Sequence, residues 1–176
     1  DMITVPAYNL SSTLNYDVNL IDFLGTNIVV YFYPKDNTPG CINEAENFRD
    51  NISEFTRLNC TVFGVSRDSV ESHHNFKKML DLPFELISDR NERLCKHFRV
   101  IQEKHWFDIP YDSIVRSTFL INTRGEVVKE WRDLKVEGHV ANVLNELRKI
   151  NKHEDNNEIG RVPRTATIIN RVNAVL

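Results

Sequence analysis

Apolar positions follow two rhythms along this chain, short unbroken runs and stripes at helical spacing. Asn27 to Tyr33 is a run rich in β-branched and aromatic residues, the pattern of a strand buried on both faces. From Cys41 onward, Cys41, Ala45, Phe48, Ile52 and Phe55 recur at steps of four, three, four and three, which predicts one face of a helix. Glu44, Glu46, Arg49, Asp50 and Glu54 then turn elsewhere. Thr61 to Ser66 reads as a second buried strand. Asp68 or Ser69 caps a helix running to about Leu80 with Phe76, Met79 and Leu80 inward.

Phe84 to Ile87 is a short strand, and Asp89 caps a helix carrying Leu94, Cys95 and Phe98. Ile101 to Ser113 reads as an ordered loop whose Trp106 and Phe107 are core aromatics before they are pocket walls. Val115 to Ile121 and Glu126 to Arg132 flank Asn122-Thr123-Arg124-Gly125, a hairpin with Gly where φ must be positive. Val140, Val143, Leu144 and Leu147 mark a last helix beginning near Glu137 or Gly138. The order predicts an α/β fold, a mixed sheet with helices on both faces. Residues 1–150 form one domain. Residues 151–176 are an extension, a polar linker over Lys152 to Glu158 and then a more apolar segment, Thr165 to Leu176, able to dock.

Length and composition narrow the classes. The 176 residues suit a single domain, 41% hydrophobic and 27% charged. A net charge of −3 without a one-sided block argues against nucleic acid or an anionic membrane as partner. No apolar stretch nears the ~20 residues of a membrane span, and no signal peptide opens the chain. Three cysteines make no disulfide framework and fit a reducing cytoplasm, where a thiol is chemical.

That directs attention to Cys41, which ends the segment Pro34-Lys35-Asp36-Asn37-Thr38-Pro39-Gly40-Cys41 and opens a helix. Free amides and the helix dipole at such a place favour a thiolate, and thiol pKa values can fall there from about 8.5 to roughly 3.5–7.5. Pro34 and Pro39 stiffen the loop, Gly40 permits close backbone approach, and Thr38 brings a hydroxyl beside the sulfur. Thiolate attack on a hydroperoxide needs this activated sulfur, a donor to polarise the peroxide, and a cation for the departing oxygen. Arg116, inside an otherwise apolar strand, supplies the cation, since its burial makes sense opposite a thiolate. Cys60 and Cys95 read first as core packing. The adjacent His73 and His74 point different ways and make no metal pair.

Tyr31 to Cys41, followed by Glu44-Ala45 and Phe48-Arg49-Asp50, resembles the peroxiredoxin signature Pro-x-x-x-Thr-x-x-Cys, and more narrowly its bacterioferritin-comigratory (PrxQ) branch. Gly64 to Ser69, Ile87 to Asp89 and Arg116 to Ile121 fit the same branch, so the resemblance spans Val5 to Ile150. It implies a thioredoxin-like fold and reduction of hydrogen peroxide or organic hydroperoxides, with no cofactor and no metal. By that match Cys41 is the peroxidatic cysteine, Pro34 shields its sulfur, Thr38 orients the peroxide, and Arg116 lowers the thiol pKa and stabilises the transition state.

One departure bears on mechanism. Positions where branch members place a resolving cysteine hold Glu46 and Lys77 here. The sulfenic acid at Cys41 is therefore expected to be resolved by an external thiol (thioredoxin, glutaredoxin with glutathione, or another reductant), with Cys95 as the internal candidate. Two other functions compete. A thioredoxin-type oxidoreductase needs Cys-x-x-Cys, but Asn43-Glu44 follow Cys41 without a second thiol. A redox sensor or holdase remains open because the resolving thiol is missing. The resemblance implies a monomer, which the tail could convert to a weak homodimer.

Overall fold

The centre of the molecule is β1 (Asn27–Phe32), every residue of which is buried, in a computed structural model that describes residues 2–157. Along the chain follow α1 (Pro39–Asp50), α2 (Ile52–Arg57), β2 (Cys60–Ser66), α3 (Val70–Leu80), β3 (Glu85–Ser88) and α4 (Arg93–His97). After these come β4 (Ile101–Trp106), β5 (Ile109–Ile114), β6 (Ser117–Ile121), β7 (Val127–Trp131) and α5 (His139–Asn157). A five-stranded sheet has the order β3-β2-β1-β6-β7. β1, β2 and β3 are parallel, while β6 and β7 return antiparallel through the Asn122–Gly125 turn, where Gly125 takes a φ of 83°.

Because successive side chains leave a strand on opposite sides, β1 feeds two separate cores. Ile28, Val30 and Phe32 join Phe63, Ile87, Phe119, Cys95 and Phe98 on the side of α4 and the N-terminal segment. Val29, Tyr31 and Tyr33 join Cys41, Phe48, Phe55, Phe76 and Leu144 on the side of α1, α2, α3 and α5. This is the mixed sheet with helices on both faces that the pattern predicts.

Several local expectations change. The stripe from Cys41 to Phe55 crosses two helices, because Asn51 leaves the helical conformation (φ −112°, ψ 8°) while its side chain donates to the Asn47 carbonyl. On α3, Ser69 is the cap and Phe76 is inward, but Met79 is exposed and His73 is buried in its place. Asp89 does serve the start of α4, accepting from the backbone N–H of Leu94 and Cys95.

The segment read as a loop over 101–113 is an antiparallel hairpin, β4 paired with β5. Its Trp106 and Phe107 pack on each other and are exposed, so they are not core aromatics. The linker expected from Lys152 is helical up to Asn157, since α5 continues and Asn151 donates to the Leu58 carbonyl and accepts from Asn27. The apolar segment at Thr165 to Leu176 lies outside the described residues. Among those described, no helix is long and apolar enough to cross a membrane.

Candidate active site

The N-terminus of α1 presents the thiol. Thr38 is extended at the cap position, Pro39 opens the helix, and Cys41 stands in its first turn, 1% exposed. Proline there forfeits no hydrogen bond, because the first amides of a helix lack intrahelical partners. Thr38 does not cap the helix with its side chain. Its hydroxyl donates to the Lys35 carbonyl at 2.9 Å, which leaves the oxygen able to accept a further hydrogen bond. Pro34 is half-buried at the other end of this loop.

Arg116 reaches the sulfur from the start of β6, the strand beside β1. It precedes β6 by one residue instead of lying inside the strand, and its carbonyl accepts from the Leu134 amide. Nη2 donates to Cys41 Sγ at 3.3 Å and Nη1 donates to Glu44 Oε1 at 2.8 Å. One guanidinium is thus divided between two residues a helical turn apart. Gly40 lies directly beneath it, as a Cβ there would stand 3.1 Å from Nη2.

Glu44 is a correction to the sequence reading, which turned it away from the stripe. Its side chain is fully buried, and Oε2 has no hydrogen-bond partner. Burial raises its carboxyl, against the opposing pull of Arg116, to about 7. The signal was available: Cys41, Glu44, Ala45 and Phe48 occupy i, i+3, i+4 and i+7 and share a face.

A second buried cluster fixes the loop. Asp36 accepts from Tyr33 Oη at 2.7 Å and from Ser72 Oγ at 2.8 Å, and its carboxylate lies 2.8 Å from His73 Nδ1. His73 Nε2 is 2.9 Å from the Ile87 carbonyl, so both ring nitrogens face acceptors. Asp68 accepts from the Asp36 amide at 2.9 Å. The sequence set His73 only beside His74; folding brings it two carboxylates, Asp36 and Asp68. Asp36, Asp68 and His73 bring ligand-type atoms within 4.8 Å of one another, yet these atoms are already engaged with each other and with the loop. The cluster clamps the active loop to α3.

His139, at the start of α5, lies 2.7 Å from Thr118 Oγ1 and edge-on to Trp131 and Phe48. Burial, and then the Arg116 charge, lower it from 6.5 to about 4. The remaining thiols are remote from this chemistry. Cys60 enters β2 and Cys95 belongs to the core on the opposite side of the sheet; both are fully buried, and burial pushes both thiols well up. The structure therefore does not bring Cys95 to Cys41. Glu46 pairs with Arg49 and Lys77 pairs with buried Glu85 at 2.8 Å.

Sequence and structure comparisons bear on the family and the fold. The sequence model of the AhpC/TSA family matches residues 4–130. The peroxiredoxin Bcp of Bacillus subtilis (strain 168) is 44% identical over 84% of this chain and 94% of its own length. A solved structure of Xanthomonas campestris peroxiredoxin Q superposes with a TM-score of 0.80 at 42% identity, covering 82% of this chain and 91% of that one. The X. campestris bacterioferritin comigratory protein, described for its alkyl peroxide reduction activity, gives 0.81 at 40% identity over 86% and 99%.

Proposed function

The chain belongs to the AhpC/TSA family as a thiol-dependent peroxidase of the Bcp/PrxQ group with a thioredoxin-like fold, and on that premise we propose that Cys41 is its peroxidatic cysteine. The observation that carries this reading is the 3.3 Å approach of Arg116 Nη2 to Cys41 Sγ. The thiolate attacks the outer oxygen of a hydroperoxide, an S–O bond forms as the O–O bond breaks, and water or an alcohol leaves. Arg116 stabilises the charge that passes from sulfur to the departing oxygen. Thr38 accepts the peroxide O–H, and Pro34 keeps bulk water from the sulfur. Hydrogen peroxide and organic hydroperoxides are both substrates, the latter in keeping with the alkyl peroxide reduction named for the X. campestris relative.

Recycling of the sulfenic acid falls to an external thiol, whether thioredoxin, glutaredoxin with glutathione, or another reductant. The ion pairs at Glu46 and Lys77 and the position of Cys95 across the sheet support this. Residues 1–150 carry the activity, and the protein works as a monomer or weak homodimer in a reducing, cytoplasmic setting. Steady-state peroxide consumption with thioredoxin, glutaredoxin/glutathione and dithiothreitol in parallel tests the reading. Turnover with at least one is expected. Sub-stoichiometric consumption with all three would point instead to a redox sensor.

A further inference from the structure

Arg116 is in contact with two acids, the thiol of Cys41 and the carboxyl of Glu44, in a pocket where both are almost wholly removed from solvent. Other titratable groups face it from two further elements. Tyr31 on β1 is fully buried and kept protonated by burial and by Glu44 and Cys41, and its hydroxyl has no partner. His139 on α5 is kept neutral by burial and by Arg116. Among the described residues facing the pair, Arg116 is therefore the cation available to balance both acids. A thiolate and a carboxylate together would leave the pocket with a net negative charge that burial penalises. One anion and one neutral acid leave it balanced.

We propose that Cys41 and Glu44 hold a single proton between them under Arg116, and that Glu44 supplies the proton needed by the oxygen leaving the peroxide. The inference rests on Cys41 being the reacting sulfur. The orphaned Oε2 of Glu44 is the place for that proton, because Oε1 is engaged by the guanidinium. The raised carboxyl, at about 7, is consistent with such an arrangement.

The step balances. Cys41–S⁻, Glu44–COOH and ROOH become Cys41–SOH, Glu44–COO⁻ and ROH. The S–O bond forms and the O–O bond breaks; the sulfur is oxidised and the peroxide reduced. The proton that leaves Glu44 is matched by the proton gained by the alkoxide. Arg116, released from the spent thiolate, then balances the new carboxylate, so the pocket stays neutral throughout. Glu44 meets the guanidinium at Nη1 and the sulfur meets it at Nη2, so the proton is relayed. Nη2 gives one to the departing oxygen as the carboxyl turns its O–H to Nη1 and gives one back, which leaves Arg116 charged and makes Glu44 a positioning residue that also stores a proton.

The test is a single-turnover stopped-flow reaction of the reduced protein with one equivalent of hydrogen peroxide at pH 7, in weak buffer containing a pH-indicator dye. Sulfenic acid is quantified in the same samples. Wild type is expected to take up close to no protons per sulfenic acid, and Glu44→Gln close to one, with a changed pH profile of the rate. Uptake of one proton by both proteins would overturn the inference while leaving the peroxidase reading intact. Failure to form any sulfenic acid would overturn both. Should Glu44→Gln not fold, infrared difference spectra of wild type decide the matter. Loss of a protonated-carboxyl band on oxidation is expected, and an unchanged carboxyl region would overturn the proposal.

Discussion

Gly40 and Arg116 are packed so closely that a Cβ on Gly40 would meet Nη2 at 3.1 Å. The same Nη2 is the atom that donates to Cys41. A methyl group there must displace the guanidinium by a few tenths of an ångström. Gly40→Ala is therefore expected to lower the second-order rate with peroxide about tenfold, as small misplacements of reacting groups do. Alanine is also the better helix residue. Thermal unfolding should be unchanged or slightly raised, and a fall in both stability and rate would refute the steric explanation.

Removing the cation or the hydroxyl should affect rate far more than fold. Arg116→Met and Thr38→Val are each expected to slow peroxide reduction roughly 10²–10³-fold, the usual scale for losing one donor or charge at a transition state. Cys41→Ser should abolish turnover. Stopped-flow rates and circular dichroism of the variants check both halves of this expectation.

Cys41 and Cys95 contribute to different cores, with the sheet between them. Bridging them would require the sheet to open, because disulfide geometry limits Cα separation to about 7 Å. Peroxide-treated protein should show no intramolecular Cys41–Cys95 disulfide by mass spectrometry. Cys95→Ala should keep full turnover with an external thiol.

His139 and Glu44 pull stability in opposite directions with pH. His139 falls from 6.5 unfolded to about 4 folded, so the stability it confers is complete above pH 6.5 and is lost as pH drops towards 4. The full span is about 3 kcal/mol. Glu44 rises from 4.5 to about 7, so its contribution is complete below pH 4.5 and is lost as pH climbs through 7. Denaturant midpoints measured from pH 4 to 8 should decline more on the acid side for wild type than for His139→Gln, and more on the alkaline side for wild type than for Glu44→Gln.

The clamp on the active loop should matter to both fold and rate. Asp36 is 4% exposed and engages Tyr33, Ser72 and His73. Asp36→Ala removes the acceptor shared by Tyr33, Ser72 and His73 and leaves buried polar groups short of a partner, a loss of about 1–3 kcal/mol. A lowered unfolding midpoint is expected, together with slower peroxide reduction because the Pro34–Thr38 loop is no longer tied to α3.

The repeat of apolar residues already determined most of the scaffold: the buried central strands, the helix that starts at Cys41, the hairpin turning at Gly125 and the α5 stripe. The thiol at a helix start and a cation to meet it were legible too, because a local motif sets out the loop and an odd charge beside an apolar run is conspicuous, although Arg116 is only partly buried. Glu44 was legible only in principle, since helical spacing put it beside Cys41 while its charge suggested solvent. The hairpin of β4 and β5 escaped because its exposed aromatics imitate a core segment. Only the tertiary structure decided the rest: that Arg116 serves two acids, that Asp36 meets His73 from 37 residues away, and that Cys95 falls behind the sheet. Periodicity along a chain reports which faces are buried. What each face meets depends on strand order and on packing between distant elements, which no local pattern encodes.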